Sequence, residues 1–245
     1  MRLLSNILLI FVITLFFSSC DKESSCLKGK GNNVSEQRAL TGIVDQLTLD
    51  HNINLVLKED SIVSLTVEGP ENLLPKIRTE LESNILKIFS ENKCSYLRSY
   101  DYEITVYLSV PNLKKIDYTG FGNITSEGVL SYPSFTFDSF EGTGKINLLI
   151  DAEELSIRQH NGPADFTISG NCKNTYVYTL GNGWFFLQNL QSDKVHVNHA
   201  GTGDIFVTAN QTLLVELYAI GNVYYFGNPT LSISHHTGSG EIKKK

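Results

Sequence analysis

The chain has 245 residues, 41% of them hydrophobic, which is enough for a sizeable core and excludes a disordered polymer. The formal net charge of −6 argues against a nucleic-acid partner, because a duplex-binding surface needs an excess of Lys and Arg to release counterions. The composition includes 11 Tyr, 13 Phe and 19 Gly but a single Met, a balance that favours an all-β fold.

Residues 1–19 have the layout of a secretory signal peptide, with an early arginine, an apolar run over 7–17 and two serines before Cys20. The apolar run is shorter than the roughly 20 residues that a membrane-spanning helix needs. The stretch FFSSC resembles the lipobox of bacterial lipoproteins, although Phe17 stands where that pattern favours Leu. The resemblance implies that Cys20 carries the lipid and becomes the first mature residue. The polar, Gly-containing composition of the segment that follows predicts that residues 20–39 form a tether.

A lipid anchor of this kind predicts a location in the cell envelope, as an outer-membrane lipoprotein. The acidic stretch DKE after Cys20 is similar to the surface-export signals of some Gram-negative lineages, so both the periplasmic and the surface-exposed leaflet stay open. The other cysteines, Cys26, Cys94 and Cys172, are odd in number and can form at most one disulfide within the chain. They are far apart in the sequence and do not form a Cys-x-x-Cys motif, so no zinc site is expected.

Residues 40–118 contain several segments in which apolar and polar residues alternate, among them NINLVLK and SIVSLTVEG, and this period of two predicts β-strands. Pro75 limits the one helix-like segment between them to a short turn. No linker separates this region from the sequence that follows. We therefore predict a single domain over 40–245, in which 40–118 forms irregular turns and an N-terminal cap and 119–245 forms regular repeats.

In the second half of the chain, a five-residue motif recurs about every 20 residues, and repeats of this period are typical of solenoids. The copies are GFGNI at 120, GTGKI at 142, GPADF at 162, GNGWF at 181, GTGDI at 201, AIGNV at 219 and GSGEI at 238. The fifth residue of each copy is apolar, and a second alternating segment precedes the next copy. Each repeat is thus predicted to be strand, turn, strand and Gly corner, and such units stack about 4.8 Å apart.

The geometry of the corners explains why glycine recurs in the motif, because a tight corner needs a positive φ or a close approach between backbones. A phosphate-binding loop would instead be a single strand–turn–helix element, whereas here each of the copies leads into a strand.

The passage VPNLKKIDYTGFGNI, with the strands before it and the Gly-x-Gly turns after it, resembles the putative auto-transporter adhesin, head GIN domain family over residues 40–245. This resemblance implies a right-handed parallel β-helix in a bacterial lipoprotein, in agreement with the preferred hand of parallel crossovers. It brings no catalytic residues to these positions. The expected partners are the membrane, through the anchor, and a glycan or a protein surface, with no cofactor and no metal.

Three histidines, His160, His199 and His236, each stand two residues before a corner, at the position that Tyr118 and Phe140 occupy in earlier repeats. Their repeats alternate with others, which separates neighbouring histidines by about 9.6 Å. Metal donors must lie about 2 Å from the ion. We therefore predict a ladder of ringed side chains at the corner and no metal site.

The fourth position of the motif gives the candidate ligand face, because Trp184 lies there between Asp165 and Asp204 in consecutive repeats. Two acids separated by two turns lie near the range that inverting glycosidases use, so a carbohydrate-active enzyme is one alternative. A structural or regulatory envelope protein is another. The intervening Trp184 favours a binding patch that stacks on a sugar ring, and the leading prediction is a lipid-anchored envelope protein for binding or adhesion.

Overall fold

The computed structural model describes residues 29–93 and 102–245, where the elements are β-strands apart from a 3-10 turn at Leu74–Lys76. This turn contains Pro75 and ends after one turn, as the sequence predicts. Among the described residues there is no helix with the length and apolar character needed to cross a membrane. The predicted signal peptide, Cys20, Cys26 and Cys94 lie outside the described residues, whereas Cys172 is a buried free thiol.

The strands are β1 (Asn33–Arg38), β2 (Gln46–Leu49), β3 (Asn54–Glu59), β4 (Ser64–Pro70), β5 (Ile77–Glu82), β6 (Ile85–Ser90), β7 (Thr105–Val110), β8 (Lys115–Tyr118), β9 (Ile124–Ser126), β10 (Ser134–Ser139), β11 (Lys145–Gln159), β12 (Asp165–Thr179), β13 (Phe185–His199), β14 (Ile205–Leu217), β15 (Val223–Phe226), β16 (Thr230–His236) and β17 (Ile242–Lys244).

These strands form a parallel β-solenoid, which confirms the predicted fold. β11 to β14 pair with one another in parallel, each along most of its length. The turn expected in the middle of each repeat is a bend within a continuous strand. At this bend the ladder of β11 and β12 continues through the pairs Asp151–Asn171 and Ala152–Cys172, so each bend is held by the one beside it.

The bends divide the solenoid into two faces. We call first face the sheet formed by β3, β7, β9, the N-terminal halves of β11 to β14, β15 and β17. The second face contains β2, β6, β8, β10, the C-terminal halves of β11 to β14, and β16. Gly corners connect the second face of one turn to the first face of the next.

The core lies between the faces and consists of ladders of like residues. Ile146, Phe166, Phe185, Ile205 and Val223 occupy one position in successive turns, and all are fully buried. The rings of Phe166 and Phe185 stack at 4.8 Å between centroids. Burial of one such side chain contributes roughly 1.5–3 kcal/mol, so each inward ladder is a large part of the stability.

Antiparallel strands cover the N-terminal end of the solenoid. β1 pairs with β4 and β4 with β7 at the edge of the first face, while β5 pairs with β6 at the edge of the second. Arg38 ties the two edges together, because its guanidinium donates to the carbonyls of Ile77 at 2.6 Å and Leu74 at 2.9 Å. β1 falls inside the stretch 20–39, so an ordered strand begins before the end of the predicted tether.

The motif glycines allow the backbones of neighbouring turns to approach each other closely. At Gly203 a Cβ atom would lie well inside van der Waals contact of the Gly183 carbonyl in the neighbouring turn, and Gly144 stands in the same relation to Gly122. Neither Gly144 nor Gly203 has a positive φ. Glycine is therefore required at these two positions because a side chain would collide with the neighbouring turn. A left-handed backbone conformation is not the reason.

Candidate functional site

The predicted ligand-face residues occupy one position of three consecutive turns on the first face. Phe166, Phe185 and Ile205 pair in register, which places the preceding residues Asp165, Trp184 and Asp204 side by side. Trp184 is 42% exposed, and the two acids are half-buried.

Both carboxylates are engaged by the backbone of the next turn. Asp165 Oδ1 accepts a hydrogen bond from the Trp184 N–H at 2.9 Å, and Asp204 Oδ1 accepts one from the Asn222 N–H at 2.8 Å. Asn residues do the same in other turns, since Asn123 accepts from Lys145 N at 3.0 Å and Asn222 accepts from Glu241 N at 2.9 Å. The two acids thus belong to a ladder of Asp and Asn side chains that links neighbouring corners.

Next to Trp184 lies a row of aromatic side chains that the sequence analysis missed. Phe186, Phe206 and Tyr224 pair in register and face outward from β13, β14 and β15. Ring centroids lie 5.9 Å apart for Trp184 and Phe186, 5.6 Å for Phe186 and Phe206, and 4.8 Å for Phe206 and Tyr224. We call Trp184, Phe186, Phe206 and Tyr224 the aromatic stripe.

The rings of the stripe stack on one another, with interplanar angles of 15° for Phe186 and Phe206 and 21° for Phe206 and Tyr224. Stacking covers much of the inner ring faces and leaves the ring edges, with their partial positive charge, toward solvent. At the far end, Lys245 Nζ lies 4.5 Å from the Tyr224 ring centroid, a cation–π contact. Trp184, at the other end, is the most exposed residue of the stripe.

A signal for the stripe exists in the sequence. Along β13 and β14 the inward positions are Phe185, Leu187, Ile205 and Val207, so the residues between them should face solvent and be polar. Phe186 and Phe206 break that alternation. When both the inward-facing and the outward-facing positions of a strand are apolar, they indicate a second apolar surface on the outside of the sheet.

The second face carries polar clusters whose members satisfy one another. The carboxylate of Asp138 is buried and accepts hydrogen bonds from Arg158 Nε and Nη2 at 2.6 Å each. It also forms an ion pair with Lys115 Nζ at 3.1 Å. Burial raises the pKa of Asp138, but the hydrogen bonds from Arg158 and Lys115 outweigh it, so the pKa lies below its ordinary value. The group remains a paired, structural anion.

Glu216 on β14 is the centre of the other cluster. Its carboxylate accepts from Tyr218 Oη at 2.8 Å and Asn198 Nδ2 at 3.0 Å, and it lies 2.9 Å from His196 Nε2. The hydrogen bonds of Tyr218 and His196 lower the pKa of Glu216. Because these partners fix an ionised carboxylate, the arrangement does not suit a proton donor.

The predicted ladder of ringed side chains at the corner is wrong. The residues that share this inward position are Tyr118, Ser139, Gln159, Thr179, His199, Leu217 and His236. Phe140 and His160 lie one residue further along and face outward, where their rings stack at 4.3 Å. The corners after β10 and β11 contain one more residue than those after β12 and β13, so counting back from the motif glycine misses the register.

From Ser139 to His199 the inward column is polar and buried instead. Gln159 donates from Nε2 to the Ala164 carbonyl at 2.7 Å and accepts from Thr179 Oγ1 at 3.0 Å. His199 Nδ1 accepts from the Gly201 N–H at 3.2 Å, and burial lowers the pKa of His199 to about 4. The described residues contain no group of three or more His, Cys, Asp or Glu side chains arranged to hold a metal ion.

The protein is a parallel β-solenoid in which each turn adds side chains to the same outer faces. It therefore belongs to the class of solenoid proteins that present an extended surface built from many repeats. Within that class, the chain belongs to the putative auto-transporter adhesin, head GIN domain family, whose model matches residues 44–229. The resemblance seen in the sequence is confirmed. No curated protein matches the chain.

Solved structures share the fold at low sequence identity. A "putative adhesin" from Bacteroides fragilis superimposes with a TM-score of 0.79 at 20% identity, covering 87% of this chain and 97% of that one. A "putative lipid binding protein" from Parabacteroides distasonis gives 0.66 at 20% identity, covering 89% and 98%. A "putative adhesin" from the same species gives 0.63 at 16% identity, also covering 89% and 98%.

Proposed function

We propose that this protein is a lipid-anchored binding protein of the cell envelope, and that it holds a surface ligand on the aromatic stripe. The observation that carries the proposal is the outward run of Trp184, Phe186, Phe206 and Tyr224 on a face that the period-two pattern would leave polar. The family description as an adhesin supports binding to some surface ligand.

The environment of the nearby acids supports binding over hydrolysis. An inverting glycosidase needs one carboxyl group that protonates the leaving oxygen and one that activates a water. Asp165 and Asp204 each commit Oδ1 to a backbone N–H of the next turn. They are better placed to hold the corners in register and to accept hydrogen bonds from a ligand through their remaining oxygens.

We infer that the ligand is a glycan, with Trp184 as its main contact. Trp184 is 42% exposed, whereas Phe186, Phe206 and Tyr224 are half-buried. A sugar ring can stack on that surface while its hydroxyls reach Asp165 and Asp204 on either side. The Phe186 and Phe206 edges extend the apolar contact along the solenoid axis.

The anchor is proposed to be a lipid on Cys20, followed by a tether that ends where β1 begins at Asn33. We propose the outer membrane as the location, and a single domain that contains residues 40–245 together with β1, which pairs with β4. Protease treatment of whole cells distinguishes the two leaflets, because only a surface-exposed domain is digested.

A glycan array tests the proposed ligand face. We expect the wild-type chain to bind a subset of glycans and Trp184→Ala to weaken that binding about tenfold or more, as loss of an anchoring aromatic residue does. Phe121→Ala is the matched control, because Phe121 is a 57% exposed aromatic residue in another turn. Equal binding by wild type and Trp184→Ala, or the absence of any glycan ligand, would contradict the proposal.

A further inference from the structure

The C-terminal end of the solenoid exposes apolar residues that are core in the turn before. Leu213 and Val215 on β14 are fully buried, whereas their partners on β16, Leu231 and Ile233, are 37% and 47% exposed. The same ladder therefore runs out into solvent at β16. Solenoid ends of this kind are normally covered by a polar cap.

The open end has the shape of a step. On the first face β17 lies beside β15, so this face extends one strand further than the second face, which stops at β16. Within residues 29–93 and 102–245, no strand pairs with the outer edge of β16. The second face therefore has a notch one strand wide beyond β16, across the core from β17.

The opposite end is protected and the open end is not. Edge strands are usually blunted by charged residues, and β1 carries Glu36 and Arg38 while β5 carries Arg78, Glu80 and Glu82. β16, with the sequence TLSISHH, contains no Asp, Glu, Lys or Arg. It combines unpaired backbone groups with exposed Leu231 and Ile233, which is the chemistry of a strand that accepts a partner strand.

We propose that a second copy of this chain fills the notch, with the two copies related by a two-fold axis parallel to the strands. Such an axis exchanges the faces, so β17 of each copy lies antiparallel beside β16 of the other, and the two steps interlock. The half-buried Ile242 then lines up with the other copy's Leu231 and Ile233. Because only one end of the solenoid formed by residues 29–93 and 102–245 is open, this contact closes a dimer and does not propagate into a filament.

Charge supports this pairing over pairing of like strands. β17 contributes Lys243 and Lys244, followed by Lys245. Side-by-side β17 strands would bring lysines of both copies together, and like charges on neighbouring strands destabilise a sheet. In the proposed dimer each lysine-rich strand meets β16, which has no acidic or basic residue other than His235 and His236. The inference concerns a surface distinct from the aromatic stripe and does not depend on the proposed ligand.

Sedimentation equilibrium of the full chain in density-matched detergent tests the dimer. We expect a reversible monomer–dimer equilibrium, and Ile233→Glu should raise the dissociation constant about tenfold or more by burying an unpaired charge. Ile62→Glu is the matched control, since Ile62 is also exposed but lies far from the open end, and it should leave the equilibrium within about twofold. Thermal melts of both variants check that the fold is kept.

A cross-linking experiment tests which strands meet. Ser232 and Lys243 both face outward from the last strands of the two faces, so Ser232→Cys chains mixed with Lys243→Cys chains should give a covalent heterodimer with a short bismaleimide. Neither variant alone should form the same product. A monomeric wild type, larger open polymers, an Ile233→Glu variant equal to wild type, or cross-linking by Ser232→Cys alone would each overturn the proposal.

Discussion

Before several strands of the first face, an Asn or Asp side chain accepts the N–H of the next turn, and this explains Asp165 and Asp204 without catalysis. The requirement at this position is an acceptor oxygen of the right reach, and charge is secondary. The row of side-chain acceptors therefore works as a spacer that keeps consecutive corners in register.

Substitutions at Asp204 test this role. Asp204→Ala removes the acceptor for both the N–H and the side-chain amide of Asn222, and we expect a loss of about 1–2 kcal/mol in the free energy of unfolding. Asp204→Asn keeps an oxygen at the same place and should cost less than about 0.5 kcal/mol. Urea denaturation measures both, and equal losses for the two variants would mean that the charge is what matters.

The buried His199 makes stability depend on pH. Burial lowers its pKa to about 4 from the ordinary 6.5, so the unfolded chain binds a proton first as the pH falls. The contribution of neutral His199 is complete above pH 6.5 and is lost progressively down to pH 4, a loss of about 3 kcal/mol.

The variant His199→Gln should flatten this part of the pH profile, because glutamine is already present in the same column at Gln159 and does not titrate. Urea denaturation at pH 7, 5.5 and 4 provides the comparison. A wild-type profile that is flat between pH 6.5 and 4 would show that His199 is not held neutral by the fold.

At the scale of elements, the corner glycines determine how closely turns can stack. Gly203→Ala would place a methyl group against the Gly183 carbonyl, so both turns must separate, and we expect a loss of more than about 3 kcal/mol or failure to fold. Gly128→Ala meets no atom within 4 Å but has a φ of 83°, so it should cost only about 1 kcal/mol. Chemical denaturation of both variants tests the order, and a larger loss at Gly128 would contradict it.

The inward ladders could be predicted because a period of two fixes which side of a strand a residue faces. Ile146, Phe166 and Ile205 follow directly from the motif, and so does the solenoid. Ser139 and Gln159 could not be placed in the column of His199 by counting from the glycines, since the corners that follow them are one residue longer. Register there is set by the strand ladder, for example the pair Gln159–Thr179, which a single sequence does not display.

The aromatic stripe was missed for a different reason. The sequence analysis followed only the inward positions of each repeat and did not consider Phe186 and Phe206, which lie between them. The stripe depends on Phe186, Phe206 and Tyr224 coming into register across three turns, and this follows only from the spacing of the whole repeats. Trp184 was identified alone because it lies within the motif.

At the scale of the whole molecule, the proposed anchor precedes the capped end, and the open end lies at the other end of the solenoid. A dimer through the open ends would therefore place the two anchors at opposite ends of the assembly. That arrangement suits contact between two envelopes, a consequence that depends on both the proposed anchor and the proposed dimer.

The anchor itself is tested at Cys20. We expect cells fed a clickable palmitate to label the wild-type protein and not Cys20→Ala, and the variant should leave the membrane fraction, because the lipid supplies the attachment. Cys26→Ala, changed a few residues further on, should label like wild type. Equal labelling of the Cys20→Ala protein would contradict lipidation at this residue.

The central claim, ligand binding on the aromatic stripe, is tested most directly by the emission of Trp184, since the chain contains a single Trp. A glycan identified by the array is titrated into the protein while tryptophan fluorescence is recorded, and calorimetry measures the same binding independently. We predict a saturable change in emission with a midpoint that matches the calorimetric dissociation constant. Calorimetric saturation with no change in Trp184 emission would contradict the account, because the ligand would then bind elsewhere on the solenoid.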